Sequence, residues 1–180
     1  MSQHHLTPPV TAHDHVAGPA DAPVTLVEYG DFECSYCGMA YPVVKAVQEA
    51  LGDGLRFVFR NFPLREAHPH AERAAEASEA AAAQGRFWEM HDTLYEHQRA
   101  LHDPDLVRYA EDLGLDVARF TREMTAGAYA EPVRAEFMSG VRSGVNGTPT
   151  FFINGERYDG DWRDAQAFAA DLARAAGAAG

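Results

Sequence analysis

The two cysteines of this 180-residue chain stand three positions apart, as Cys34-Ser35-Tyr36-Cys37, where a strand-like run gives way to a helical pattern. A C-x-x-C pair in such a setting reads as a redox switch; a disulfide-stapled scaffold would need more cysteines. Half of a zinc site is the competing reading, but zinc asks for four ligands and no second cysteine pair exists. Upstream, Val24-Thr25-Leu26-Val27-Glu28-Tyr29 is β-branched and apolar, bounded by Pro23 and Gly30, and predicts a buried strand. Downstream, Met39, Val43, Val44, Val47 and Leu51 share one side of a helix that Gly52-Asp53-Gly54 ends, with Pro42 expected to kink it. Leu55-Arg56-Phe57-Val58-Phe59-Arg60-Asn61-Phe62 is a second strand, which completes a βαβ unit.

The rest of the chain changes character. Residues 65–142 give no strand signal. An Ala-rich stretch over 71–83 forms helix readily, and Phe87, Met90, Leu94 and Tyr95 mark the next amphipathic face. Asp103-Pro104 and Asp116 are helix starts, and Val133, Phe137 and Val141 recur at i, i+4, i+8. Thr150-Phe151-Phe152-Ile153 then predicts a strand, Asn154-Gly155 a two-residue hairpin turn, and Arg157-Tyr158 a short return. Asp161 is expected to cap a final helix. The organisation is therefore α/β, with an all-helical insertion over 65–143 between the βαβ half (21–64) and a C-terminal hairpin and helix (144–180). Residues 1–20, rich in Pro, His, Thr and Ala without periodicity, read as a flexible N-terminal arm.

Charge narrows the function classes. A net charge of −12 offers no cationic excess for nucleic acid or anionic membrane, and no apolar run approaches bilayer-spanning length, so neither nucleic-acid binding nor membrane insertion is expected. The first residues, MSQHHLTPPVTAHDHV, lack the basic and apolar regions of a signal peptide. The expected location is the cytoplasm, or an extracytoplasmic compartment if a leader has been removed.

The chemistry follows from position. Unpaired N–H groups at a helix start stabilise an anion, so a thiolate at Cys34 would be a nucleophile near neutral pH. Cys37, one turn on, can reach back to close the disulfide. Beside them, Glu33 adds a like charge that opposes ionisation of Cys34.

The stretch from Ala22 through Cys37 resembles the active-site strand and helix of the DsbA-like family of the thioredoxin superfamily. Gly144-Val-Asn-Gly-Thr-Pro-Thr-Phe-Phe-Ile-Asn-Gly resembles that family's cis-proline loop and hairpin, and Gln84-Gly85-Arg86-Phe87-Trp88 a turn of its helical insertion. The resemblance implies a thioredoxin-like fold in which Cys34 attacks and Cys37 resolves. It implies that Pro149 is the cis-proline against the disulfide and that Thr148 offers backbone to an extended substrate. Glu28 falls where the family carries a buried acid able to relay the proton of the resolving thiol, and Pro42 resembles the kink-proline. Ser35 and Tyr36 join Thr148 and Pro149 as substrate-binding residues. The dipeptide departs from the Pro-His of strongly oxidising DsbA proteins and the Gly-Pro of thioredoxin, and it supplies no cation.

The function implied is disulfide exchange with protein substrates, with no bound cofactor, no metal, and an unnamed partner to recycle the dithiol. A glutathione-dependent or isomerase-type member is the rival within the enzyme class. A redox-sensing binding module or holdase is the rival outside it. Of the histidines, His4, His5, His13 and His15 read as a solvated tail, His68 and His70 as surface or capping residues, and His91, His97 and His102 show no partner pattern.

Overall fold

The computed structural model describes residues 4–178. Its centre is the predicted βαβ unit. Strand β2 (Val24–Gly30) runs into helix α1 (Ser35–Leu51), and a single 3₁₀ turn then leads to β3 (Leu55–Asn61), parallel to β2. The sheet is completed by β1 (His15–Ala17), β4 (Thr150–Ile153) and β5 (Glu156–Tyr158), in the order β1-β3-β2-β4-β5, and every pairing other than β2 with β3 is antiparallel. Between β3 and β4 lie α2 (Ala71–Ala82), α3 (Phe87–Glu96), α4 (Asp103–Asp112), α5 (Val117–Thr125) and α6 (Ala130–Arg142); α7 (Ala165–Ala178) closes the chain. The hairpin turn is as expected, with Asn154 and Gly155 both at positive φ (50° and 84°), the backbone that a two-residue turn of this type requires.

Strand β2 is buried along its whole length because both faces of the sheet are covered, which is why it reads as a continuous apolar run. On one face Val24, Leu26, Phe57, Phe59 and Phe151 pack with α1, α7 and the helices that follow β3. On the other, Val27, Tyr29, Val58, Phe62 and Phe152 pack with Leu6 and Val145. Glu28 belongs to the first face, where it pairs across the sheet with Phe59 and Phe151.

Three details of the expected structure change. The inner face of α1 is Cys37, Ala40, Val44 and Val47, while Met39 is 52% exposed. The last helix starts at Ala165, because Asp164 accepts from the N–H groups of Gln166 and Ala167; Asp161 instead closes a turn onto Arg163. The arm is not free. Its first three residues lie outside the described residues, but from His4 onward it packs on the sheet: Leu6 is buried and β1 adds an edge strand to β3.

What holds the arm is a buried charge. Arg60 on β3 is 3% exposed, and its guanidinium meets both carboxylate oxygens of Asp14 (2.8 and 3.0 Å), the carbonyls of Pro8 and Pro9, and Tyr29 Oη. A planar five-donor group inside the protein needs that many acceptors, and the arm supplies most of them. Composition could not show this, because the partner is a single arginine 46 residues away. Asp14→Ala leaves the guanidinium without its counter-charge, and the expected cost is about 3 kcal/mol, at the lower end for breaking a buried pair because the carbonyl acceptors remain. Urea unfolding of the two proteins measures it.

Candidate active site

Cys34 is the residue before the first turn of α1, with extended backbone (φ −71°, ψ 124°), and its carbonyl accepts the first helical hydrogen bond, from Gly38 N–H. It is 5% exposed and Cys37 is fully buried; both are free thiols. The Cys34 sulfur lies 3.6 Å from the Thr148 carbonyl oxygen, and the Thr148–Pro149 bond is cis, so the predicted proline loop sits against the predicted nucleophile. Ser35 and Tyr36 are exposed at the rim. Tyr36 lies 5.8 Å beneath the guanidinium of Arg163.

The two sulfurs are made unlike by their surroundings. A hydrogen bond from Cys37 Sγ–H stabilises the Cys34 thiolate most, against partial burial. The N–H groups of Cys37 and Tyr36 add to it, and the Cys34 pKa falls from 9.0 to about 5. Burial pushes the Cys37 thiol well above the ordinary range, and donation to Cys34 and the nearby Glu28 carboxyl push it further. Glu28 is 2% exposed; burial, then the Cys34 thiolate, raises its pKa from 4.5 to about 8. One group is thus an anion at neutral pH and its two neighbours hold their protons, the division of labour that disulfide exchange needs.

Several supporting residues gave no signal in the sequence. Asp31 is buried and accepts from Glu33 N–H, Leu64 N–H and His68 Nδ1, the last at 2.8 Å. Burial lowers the His68 pKa, but the hydrogen bond and charge of Asp31, with the Cys34 thiolate, hold it above its ordinary value. His68 is therefore more than a surface or capping residue. Glu33 is turned aside, its carboxylate accepting His70 N–H at 2.6 Å. Gln98, just beyond α3, donates to the carbonyls of Phe32 (2.9 Å) and Cys34 (2.8 Å), and its amide occupies the space that a Cβ at residue 38 would need, so Gly38 is a packing requirement. These residues are far apart in sequence and meet only because the segment before α2 and the end of α3 lie over the start of α1.

Away from the dithiol, His15, Glu79 and Glu136 bring donor atoms within 4.8 Å of one another. His15 Nε2 meets Glu79 at 2.8 Å and stacks on Phe87, while burial, then the charge of Glu79, raises the Glu136 pKa well above the carboxylate range. His15 is thus a docked residue of β1 rather than part of a solvated tail.

With that geometry in place, comparison with known proteins settles the family. A family model described as thioredoxin matches residues 10–170. The chain belongs to the thioredoxin family. Its α/β fold is the thioredoxin-like one of the DsbA-like structures. A thioredoxin-like oxidoreductase from Silicibacter pomeroyi superposes with a TM-score of 0.77 at 27% identity, over 91% of this chain and 94% of that one. The α-DsbA1 protein of Wolbachia pipientis gives a TM-score of 0.81 at 19% identity, over 99% and 98%. A sequence relative named Na(+)/H(+) antiporter NhaA 3, from Salinispora tropica, is 53% identical over 155 residues, which are 83% of this chain and 23% of that protein. The chain spans about a quarter of the length of the curated relatives it matches. Among the described residues, no helix is long and apolar enough to cross a membrane.

Two titrations test the electrostatics. Thiolate absorbance of the reduced protein should rise with a midpoint near pH 5 and vanish in Cys34→Ser; a midpoint above 8 would contradict the site. A folded pKa lowered from 9.0 to about 5 gives the reduced protein stability that is full above pH 9 and lost as pH falls through 5. Glu28 works the other way. Its raised pKa makes the native state lose stability as pH climbs from 4.5 to about 8. Melting curves of Glu28→Gln should lack that loss.

Proposed function

We propose that the chain is a thiol–disulfide oxidoreductase that exchanges disulfides with protein substrates through Cys34 and Cys37. The observation that carries this reading is the placement of Cys34 at the start of α1, one turn from the fully buried Cys37 and 3.6 Å from the carbonyl oxygen of Thr148, whose bond to Pro149 is cis. In the oxidising direction a substrate thiolate attacks Cys34 of the disulfide, Cys37 leaves, and Glu28 supplies the proton that the leaving sulfur takes up. A second substrate thiol then resolves the mixed disulfide. In the reducing direction the Cys34 thiolate attacks a substrate disulfide, which removes the charge that helps keep the proton on Glu28, and Cys37, losing its proton to the carboxylate form of Glu28, displaces the substrate sulfur. Thr148 and the cis Pro149, with Ser35 and Tyr36, would hold an extended substrate chain beside Cys34. An external redox partner resets the dithiol. A binding module that carries the pair only as a sensor would share the geometry but would not turn over a disulfide-bonded model protein.

The potential is expected between the thioredoxin and DsbA values, at roughly −250 to −150 mV. A Cys34 pKa of about 5 agrees with that placement, because it falls between roughly 7 for thioredoxin and 3.5 for DsbA. Equilibration with glutathione buffers measures it. Tyr36→His should raise the potential by offering the thiolate a further donor. A wild-type value at or above DsbA's, or no change in Tyr36→His, would remove the dipeptide as the controlling element.

A further inference from the structure

Behind the dithiol, Glu28 shares an enclosed space with groups that the scheme above does not use. A cavity of about 10 Å³ is lined by Glu28, Tyr41, Lys45, Gln48, His91 and Tyr95, with Val44, Phe57 and Trp88 beside them. That is about the room one water molecule requires. Three of these side chains carry a buried polar atom with no hydrogen-bond partner among the described residues: Glu28 Oε1, His91 Nε2 and Tyr95 Oη. Each is destabilising if left unpaired, whereas one water commonly bridges two to four such atoms.

His91 is held for a particular task. Its ring is fixed edge-on by Phe32, Phe59, Trp88 and Tyr95. Its Nδ1 lies 2.9 Å from Asp92 Oδ1, and Lys45 Nζ meets the other Asp92 oxygen at 2.8 Å. A carboxylate at Nδ1 selects the tautomer with its proton there, which leaves Nε2 as a bare acceptor on the cavity side. Burial holds the His91 pKa below its ordinary value, against Asp92, while Lys45 and His15 lower it further, so the ring is neutral and, as a weaker base than Glu28, can pass a proton on but not keep it. The other titratable groups facing this space are Glu28, Tyr41 and Tyr95. Asp92 reaches the surface, with its side chain 29% exposed.

We propose that His91 is the second station of the proton path from Cys37: Glu28 passes the proton through one water in this cavity to His91 Nε2, and a proton leaves to solvent at Asp92. The inference rests on the dithiol exchange proposed above. In the resolving step the Cys37 S–H proton goes to Glu28 in its carboxylate form, and the sulfur's electron pair forms the bond to Cys34. The substrate sulfur departs as a thiolate, so the substrate is reduced and the dithiol oxidised. Glu28 then regains its carboxylate by giving its proton to the water as the water gives one to His91. The imidazolium, paired with Asp92, releases its Nδ1 proton to bulk. Cys34 is not on this path.

The test compares wild type, Glu28→Gln, His91→Gln and the double variant. Stopped-flow kinetics follow resolution of a mixed disulfide with a model peptide, and Cys34 alkylation monitors the first attack. His91→Gln keeps a polar group of similar reach but cannot titrate. Resolution should slow about tenfold, below the roughly 100-fold that a general acid or base commonly contributes, with alkylation unchanged. The double variant should be no slower than Glu28→Gln, since the two act in series. Slow resolution in Glu28→Gln with wild-type resolution in His91→Gln would overturn the relay and leave the oxidoreductase intact, as would additive slowing. Wild-type rates in both variants would remove Glu28 as well. No exchange by the wild-type protein would instead sink the function itself. Nitrogen-15 NMR of wild-type His91 keeps the idea testable if His91→Gln does not fold: a proton on Nδ1 and none on Nε2 is expected, and the reverse tautomer would overturn it.

Discussion

The hydrogen bonds that converge on the Cys34 sulfur are the interaction on which the rest of this protein depends. They come from the Cys37 thiol and from the Tyr36 and Cys37 amides at the open end of α1. Those amides have no partner inside the helix, so the anion that they favour must be supplied by the residue just before it. Strand β2 ends at Gly30, and four residues later the chain must already be at the helix start. The parallel β2–β3 pair fixes where that junction points. Sheet register and thiol acidity are in this sense one arrangement: Glu28 is under the dithiol because its neighbours in the sheet are Phe59 and Phe151.

The helices between β3 and β4 take part in the site. Gln98 ties down the loop carbonyls, His68 answers the buried charge of Asp31, and α3 carries both Tyr95 and His91 to the space behind Glu28. Gly38 is small because this layer lies so close, since a Cβ there would run into the Gln98 amide, and a Cβ at Gly30 would meet the Phe59 ring of the neighbouring strand as well as the Tyr95 hydroxyl. The low exposure of Cys37 and the high pKa of Glu28 are consequences of that cover as much as of the sheet.

What the sequence shows and what it hides divide along physical lines. Local chemistry is visible in it. The β2 run, the Asn154-Gly155 turn, the Asp116 cap and the C-x-x-C spacing each depend on a few adjacent residues, and each stands where expected. Glu28 could be placed because its apolar neighbours announce a buried strand. Long-range polar pairings are not visible. Asp14 with Arg60, Asp31 with His68 and His15 with Glu79 join residues 37 to 64 positions apart, and nothing local marks them. The arm reads as loose for that reason: its few apolar anchors, Leu6 above all, lack periodicity, and its main attachment is a single buried guanidinium. Met39 fits the helical period, but the period alone does not say where the apolar stripe ends; the dithiol sets it, with Cys37 rather than Met39 facing the core.

The central claim is that the fold stabilises the Cys34 thiolate and so favours the open dithiol over the closed disulfide. A disulfide ordinarily stabilises a protein by constraining its unfolded chain, though a loop this short gains little from that constraint. The direct measurement is denaturant unfolding of the oxidised and reduced protein, side by side at pH 7. The account predicts that the reduced protein is the more stable of the two, with the difference shrinking as the pH is lowered toward 5. An oxidised form that is the more stable at pH 7 would contradict it.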